Sequence, residues 1–112
     1  MELLKINREA ATLVGYLAIV EAQERSAVIG QVIGGLEHLE AQAMSVDSPW
    51  ATLQAAAIRG MRAGLEQVRW GGKADLLVQA SRSNAALRTA LETGFEKGDV
   101  TLLTGGQNDP AR

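Results

Sequence analysis

The stretch that decides the fold is Ser48–Gly72, SPWATLQAAAIRGMRAGLEQVRWGG. It opens on Ser48-Pro49. Serine caps a helix N-terminus, and proline fits the first helical turn, where its missing N–H removes no bond. Trp50, Leu53, Ala57, Ile58, Met61, Leu65 and Val68 then recur on one helical face, with Arg59, Arg62, Glu66 and Arg69 opposite. That three-to-four-residue beat is an amphipathic helix. Gly71-Gly72 ends it, because glycine adopts the left-handed backbone of a C-cap and tight turn. A further helical segment is expected from Lys73 to Lys97, with Leu76, Leu77, Ala80, Leu87, Leu91 and Phe95 as its apolar stripe. Ser81–Asn84 is a point of local interruption, since Ser and Asn favour caps and turns. Gly98 is its stop.

Upstream, residues 7–45 contain no proline and are rich in Ala, Leu, Glu and Gln, which predicts helix with Asn7 as N-cap. Leu13, Val14, Leu17 and Val20 share one face, whereas Val28, Val32, Leu36 and Leu39 share another, with Ile29 and Ile33 beside them. The two faces do not superpose, and on a single wheel Glu21 and Glu24 fall on the first stripe. A break near Glu24–Ser26, with Ser26 capping a second helix, resolves the conflict. One kinked helix is the alternative. The expected architecture is all-α, a three- or four-helix bundle with a helical hairpin turning at Gly71-Gly72. Residues 1–98 form a single helical domain and residues 99–112 a C-terminal tail. In that tail Val100-Thr101-Leu102-Leu103 is a short apolar patch that either docks back on the bundle or is offered to a partner.

Of 112 residues, 46% are hydrophobic but only 4% aromatic, so core volume must come from Leu, Ile, Val and Ala. The absence of cysteine excludes disulfides, thiolate metal sites and cysteine nucleophiles. A net charge of −2 argues against bulk attraction to nucleic acid. The charge is uneven: residues 1–48 carry three cations against seven anions (−4), and residues 49–112 eight against six (+2). The halves attract each other, within a chain or between chains. Ala10–Val20 and Ser26–Leu36 are uncharged for eleven residues each, whereas a membrane span needs about 20. Met1-Glu2-Leu3-Leu4-Lys5 lacks the basic start and apolar run of a signal peptide. A cytoplasmic protein is the expectation.

Small residues recur every four positions: Ala18, Ala22, Ser26, Gly30 and Gly34; Ala56, Gly60 and Gly64; Ala86, Ala90 and Gly94. Residues four apart share a helix side, and rows of small side chains let two backbones approach closely. Ala22, Ser26, Gly30, Gly34, Gly60 and Gly64 are therefore the expected helix–helix or subunit contacts.

Reactive chemistry has little to build on. His38, in Glu37-His38-Leu39-Glu40, is the single histidine, and position 35 is glycine rather than the glutamate of a Glu-x-x-His unit. It is read as a surface residue. No nucleophile elbow, Walker loop or dinucleotide fingerprint occurs. The chain is expected not to be an enzyme and to need no cofactor or metal. Arg59, Arg62, Arg69 and Lys73 form a basic stripe interrupted by Glu66. It is either a solvated face with an Arg62–Glu66 pair or a surface for an acidic protein or a phosphate backbone.

Trp70-Gly71-Gly72, between two predicted helices, resembles the Trp-x-Gly turn of the small helical hairpins exported by type VII secretion systems. Phe95-x-x-x-Asp99 is similar to the aromatic-x-x-x-acid signal following the second helix there. The resemblance implies a four-helix dimer of hairpins without catalytic activity. The chain departs from that pattern: the turn lies well past the middle, Pro49 shortens the helix before it, and the first 45 residues have no counterpart. The residues themselves favour a non-enzymatic interaction module (an adaptor, inhibitor, chaperone or assembly subunit) that self-associates or takes a protein partner. A nucleic-acid-binding regulator using Arg59–Lys73 is the alternative from another class.

Overall fold

The first long apolar segment does break, but its first helix already ends at Tyr16, well ahead of the Glu24–Ser26 position expected from the sequence. In the computed structural model, which describes residues 2–95, α1 spans Glu2–Tyr16 and α2 spans Arg25–Met44. Between them the chain tightens into i→i+3 turns, with the amides of Leu17, Ala18 and Ile19 donating to the carbonyls of Val14, Gly15 and Tyr16 at 3.1 Å. A short 3₁₀ turn, Ala22–Glu24, leads into α2. This unwinding lets each non-superposing apolar face meet the core. It also leaves Glu21 and Glu24 exposed rather than trapped on a buried stripe. Two capping expectations are corrected. Asn7 is a fully buried mid-helix residue of α1, which starts five residues earlier, and Ser26 lies inside the first turn of α2.

Helix α3, Ala51–Arg69, starts within two residues of Pro49, and the Trp50 amide donates to Ser48 Oγ at 3.1 Å. Its end is a Schellman closure: Gly72 N–H donates to Gln67 O at 2.7 Å and Gly71 N–H to Val68 O at 3.1 Å, with Gly71 at φ 85°. Helix α4, Asp75–Ala90, runs through 81–84 without interruption and passes into a π-helical turn, Leu91–Phe95. The expected stop at Gly98 and the 99–112 tail lie outside the described residues.

Successive helices run antiparallel. Gly35 of α2 faces Leu13 of α1, Gly30 and Glu40 of α2 meet Arg69 and Arg59 of α3, and Gly60 and Gly64 of α3 meet Ala80 and Leu77 of α4. The all-α bundle is thus a four-helix one, with no strand among the described residues. The core is aliphatic, as composition requires: Leu3, Ile6, Ile29, Ile33, Leu36, Ile58, Leu65 and Leu91 are buried, joined by Met61 and by one aromatic, Trp50. Leu53, placed on the apolar face of α3 by the sequence pattern, is instead 47% exposed.

Three amides sit inside this core, with exposures of 0% for Asn7 and Gln54 and 1% for Asn84. Asn7 Nδ2 donates to Gln54 Oε1 at 2.7 Å and to the Asn84 carbonyl at 2.9 Å. Gln54 Nε2 donates to Asn84 Oδ1 at 2.8 Å, and Asn84 Nδ2 returns a 3.2 Å bond to the Asn7 carbonyl. One network therefore ties α1, α3 and α4 together.

Asn84→Ala strips partners from two desolvated amides and should destabilise the fold by about 1–3 kcal/mol, read from urea denaturation midpoints. A Cβ on Gly64 would come within 2.5 Å of the Leu77 amide nitrogen, whereas one on Gly34 meets nothing within 4 Å. Gly64→Ala should therefore cost about 1–3 kcal/mol through overpacking. Gly34→Ala should raise stability by up to about 1 kcal/mol through helix propensity. Equal effects at both positions would refute the packing assignment.

Candidate functional site

The small-residue rows meet different fates. Ala18 and Ala22 fall in the α1–α2 connection, so the first row is not one helical stripe. Ser26 is exposed, Gly34 is open to solvent, and Gly30 accommodates the Arg69 guanidinium, whose Nη2 lies 3.4 Å from where a Cβ would stand. Gly60 and Gly64 do form a close helix contact, with α4. Gly35, which belongs to none of these rows, does the equivalent work for α1: a Cβ there would sit 2.9 Å from Leu13 Cδ1.

Along α3 and α4 the small residues continue past the tight crossing and leave the helices unfilled. Leu53, Ala56, Ala57 and Gly60 of α3 and Ala80, Ser83, Ala86, Leu87 and Ala90 of α4 line an open groove of about 540 Å³. Ala56, Ser83 and Ala86 are exposed, with Ala57 and Leu87 buried at its base. No charged side chain lines it. The groove offers shape and apolar contact, not reactive groups.

The basic stripe is split between two settings. Arg59 Nε and Arg62 Nη2 donate to the two oxygens of Glu40 at 2.9 and 2.8 Å, clamping α3 to α2. Glu40 is only 14% exposed, against 60% for Arg59. Burial pushes the Glu40 carboxyl up, but the hydrogen bonds and charges of Arg62 and Arg59 outweigh it and hold the group below its usual value of 4.5. Arg62 thus turns to Glu40 rather than to Glu66. Glu66 instead lies 3.9 Å from Arg69 and accepts a 3.2 Å hydrogen bond from the Trp70 indole. The Arg69 guanidinium rests 5.5 Å from the Trp70 ring centroid. Trp70 is 78% exposed, and Lys73 stands exposed just beyond it. Arg69, Trp70 and Lys73 therefore gather at the α3–α4 turn, apart from the Arg59–Arg62 clamp.

His38 is exposed beside α1. Among the described residues no three His, Asp or Glu side chains gather as metal ligands, and no helix is long and apolar enough to cross a membrane. The α3–α4 hairpin with its Trp70-Gly71 turn is packed against α1 and α2 within the same bundle. Asp99, the second element of the hairpin resemblance, lies outside the described residues.

No family model, no curated protein and no solved structure matches this chain.

The clamp makes a pH prediction. Because the folded Glu40 pKa is lowered, its contribution is complete above about 4.5 and is lost as pH falls through the folded value. Glu40→Gln should lose about 1–2 kcal/mol at pH 7, a modest figure because solvent screens the exposed Arg59. The gap to the parent protein should close as acid denaturation is approached. A gap constant from pH 7 to pH 3 would show that the ion pairs contribute nothing.

Proposed function

We propose that this chain is a non-enzymatic helical interaction module whose working surface is the α3–α4 groove, and that its first partner is a second copy of itself. One observation carries the reading: a groove lined by small residues together with Leu87 and the half-exposed Leu53, and by no charged side chain, lies open between α3 and α4. Small side chains on two adjacent helices admit a third helix at short range. In a two-fold pair the same patch serves both copies, and Leu53 of one enters the groove of the other. The opposite charge of the two halves of the sequence favours such pairing over long range. An adaptor, inhibitor, chaperone or assembly subunit works through surfaces of this kind. A cytoplasmic setting is part of the proposal, supported by the cysteine-free composition. Nucleic-acid binding through Arg59–Lys73 is less favoured, because Glu40 occupies two of the four cations.

Sedimentation equilibrium tests this reading. The parent chain should weigh as a dimer. Ala56→Arg and Ala86→Arg place a charge in the groove from exposed positions, and should give monomers with unchanged helix content. A parent chain that stays monomeric at high concentration, or arginine variants that keep the dimer mass, would overturn self-association through this groove.

A further inference from the structure

A second groove, of about 580 Å³, runs between α1 and α2 and is built differently. Its floor is Leu4, Leu13, Leu39 and the bare backbone of Gly35. Leu39 is buried, and the missing Cβ at Gly35 is what lets Leu13 settle against α2. The rim is polar: Lys5, Arg8, Glu9 and Thr12 stand on successive turns of one side of α1, and His38 stands on α2. Lys5 and Arg8 are fixed cations and Glu9 is the one carboxylate among the lining residues. The Arg8 head group makes only a 3.8 Å approach to Glu92, with both side chains about half exposed. The Thr12 hydroxyl is already spent on the Arg8 carbonyl at 2.9 Å.

This combination selects a ligand class. The volume falls in the range of about 300–1,000 Å³ typical of small-molecule sites, which pair an apolar lining with a few placed polar groups. Positions 4–13 of α1 span about 14 Å at helical rise, comparable to an extended dodecyl chain. Lys5 and Arg8 lie toward the Leu4–Leu39 end, and Leu13 with Gly35 toward the other. Lysine and arginine lay their aliphatic stems on apolar surface while their charges reach the rim. We propose that the α1–α2 groove binds a single-chain amphiphile with an anionic head, a long-chain carboxylate, whose chain lies over Leu4, Leu13 and Leu39 and whose carboxylate meets Lys5 and Arg8. The site is independent of the α3–α4 groove and of the self-association reading.

The test is calorimetric titration of the purified full chain with dodecanoate, and separately with dodecyltrimethylammonium, each below its micelle concentration. Dodecanoate should bind saturably at one per chain, and the cationic amphiphile should not. Lys5→Gln with Arg8→Gln should weaken dodecanoate by about tenfold. Thr12→Trp, which fills the groove from an exposed position, should abolish binding while circular dichroism and melting temperature stay at parental values. Absence of saturable binding, equal binding of both head groups, or retained binding in the Thr12→Trp protein would each overturn the proposal. So would a Thr12→Trp protein that loses dimer mass while the parent takes up no dodecanoate, since the groove would then serve a second copy.

Discussion

Asn7, Gln54 and Asn84 lie in the middle of an otherwise aliphatic core, and the placement of α1 depends on them. Aliphatic contacts between helices are tolerant: a slide or a rotation replaces one leucine contact with another. Three buried amides are not tolerant, because each donor left unpaired costs about 1–3 kcal/mol in lost hydration. Here every amide finds a partner on another helix, including two backbone carbonyls. Sliding α1 by one turn breaks every bond between Asn7 and the other two helices at once. Hydrogen bonding thus fixes the register of α1 against α3 and α4.

The other half of the bundle is fixed by bare backbone. At Gly64 the α3 main chain comes so near Leu77 that no side chain fits, and at Gly60 a Cβ would lie 3.0 Å from Ala80. The Schellman closure at Gly71-Gly72 reverses the chain between these two helices. A tight crossing near one end has a consequence at the other. There the alanines that line both helices are too small to fill the space between them. The open α3–α4 groove is therefore a product of the same small residues that hold the hairpin together.

Electrostatics is arranged around one residue. Glu40 reaches from the acidic first half of the chain to the basic second half and binds two arginines of α3. The attraction expected between the halves is therefore satisfied in part within one chain. What remains exposed at the α3–α4 turn is Trp70, held by Glu66 and flanked by Arg69, with Lys73 beyond. The α1–α2 groove keeps Lys5 and Arg8 on its rim, and these are the cations placed beside an apolar floor.

Helical periodicity determined the fold class, the start of α3 near Ser48-Pro49, the turn at Gly71-Gly72 and the break ahead of α2, because these follow from local backbone preference and from which face must be buried. The sequence also marked Gly60 and Gly64 by their spacing. It misplaced Asn7 as a cap and Asn84 as an interruption, although both sit in phase with apolar neighbours: Asn7 with Leu3 and Ala10, Asn84 with Ala80, Leu87 and Leu91. Local propensity penalises such amides in a helix interior, and only partners 30 to 77 residues away reverse that penalty. Tertiary structure alone decided that Glu40 rather than Glu66 pairs with Arg62, that Gly35 rather than Gly34 receives a neighbouring helix, and that two grooves stay open. Each of these depends on which helices lie side by side, and periodicity along one helix carries no information about its neighbour.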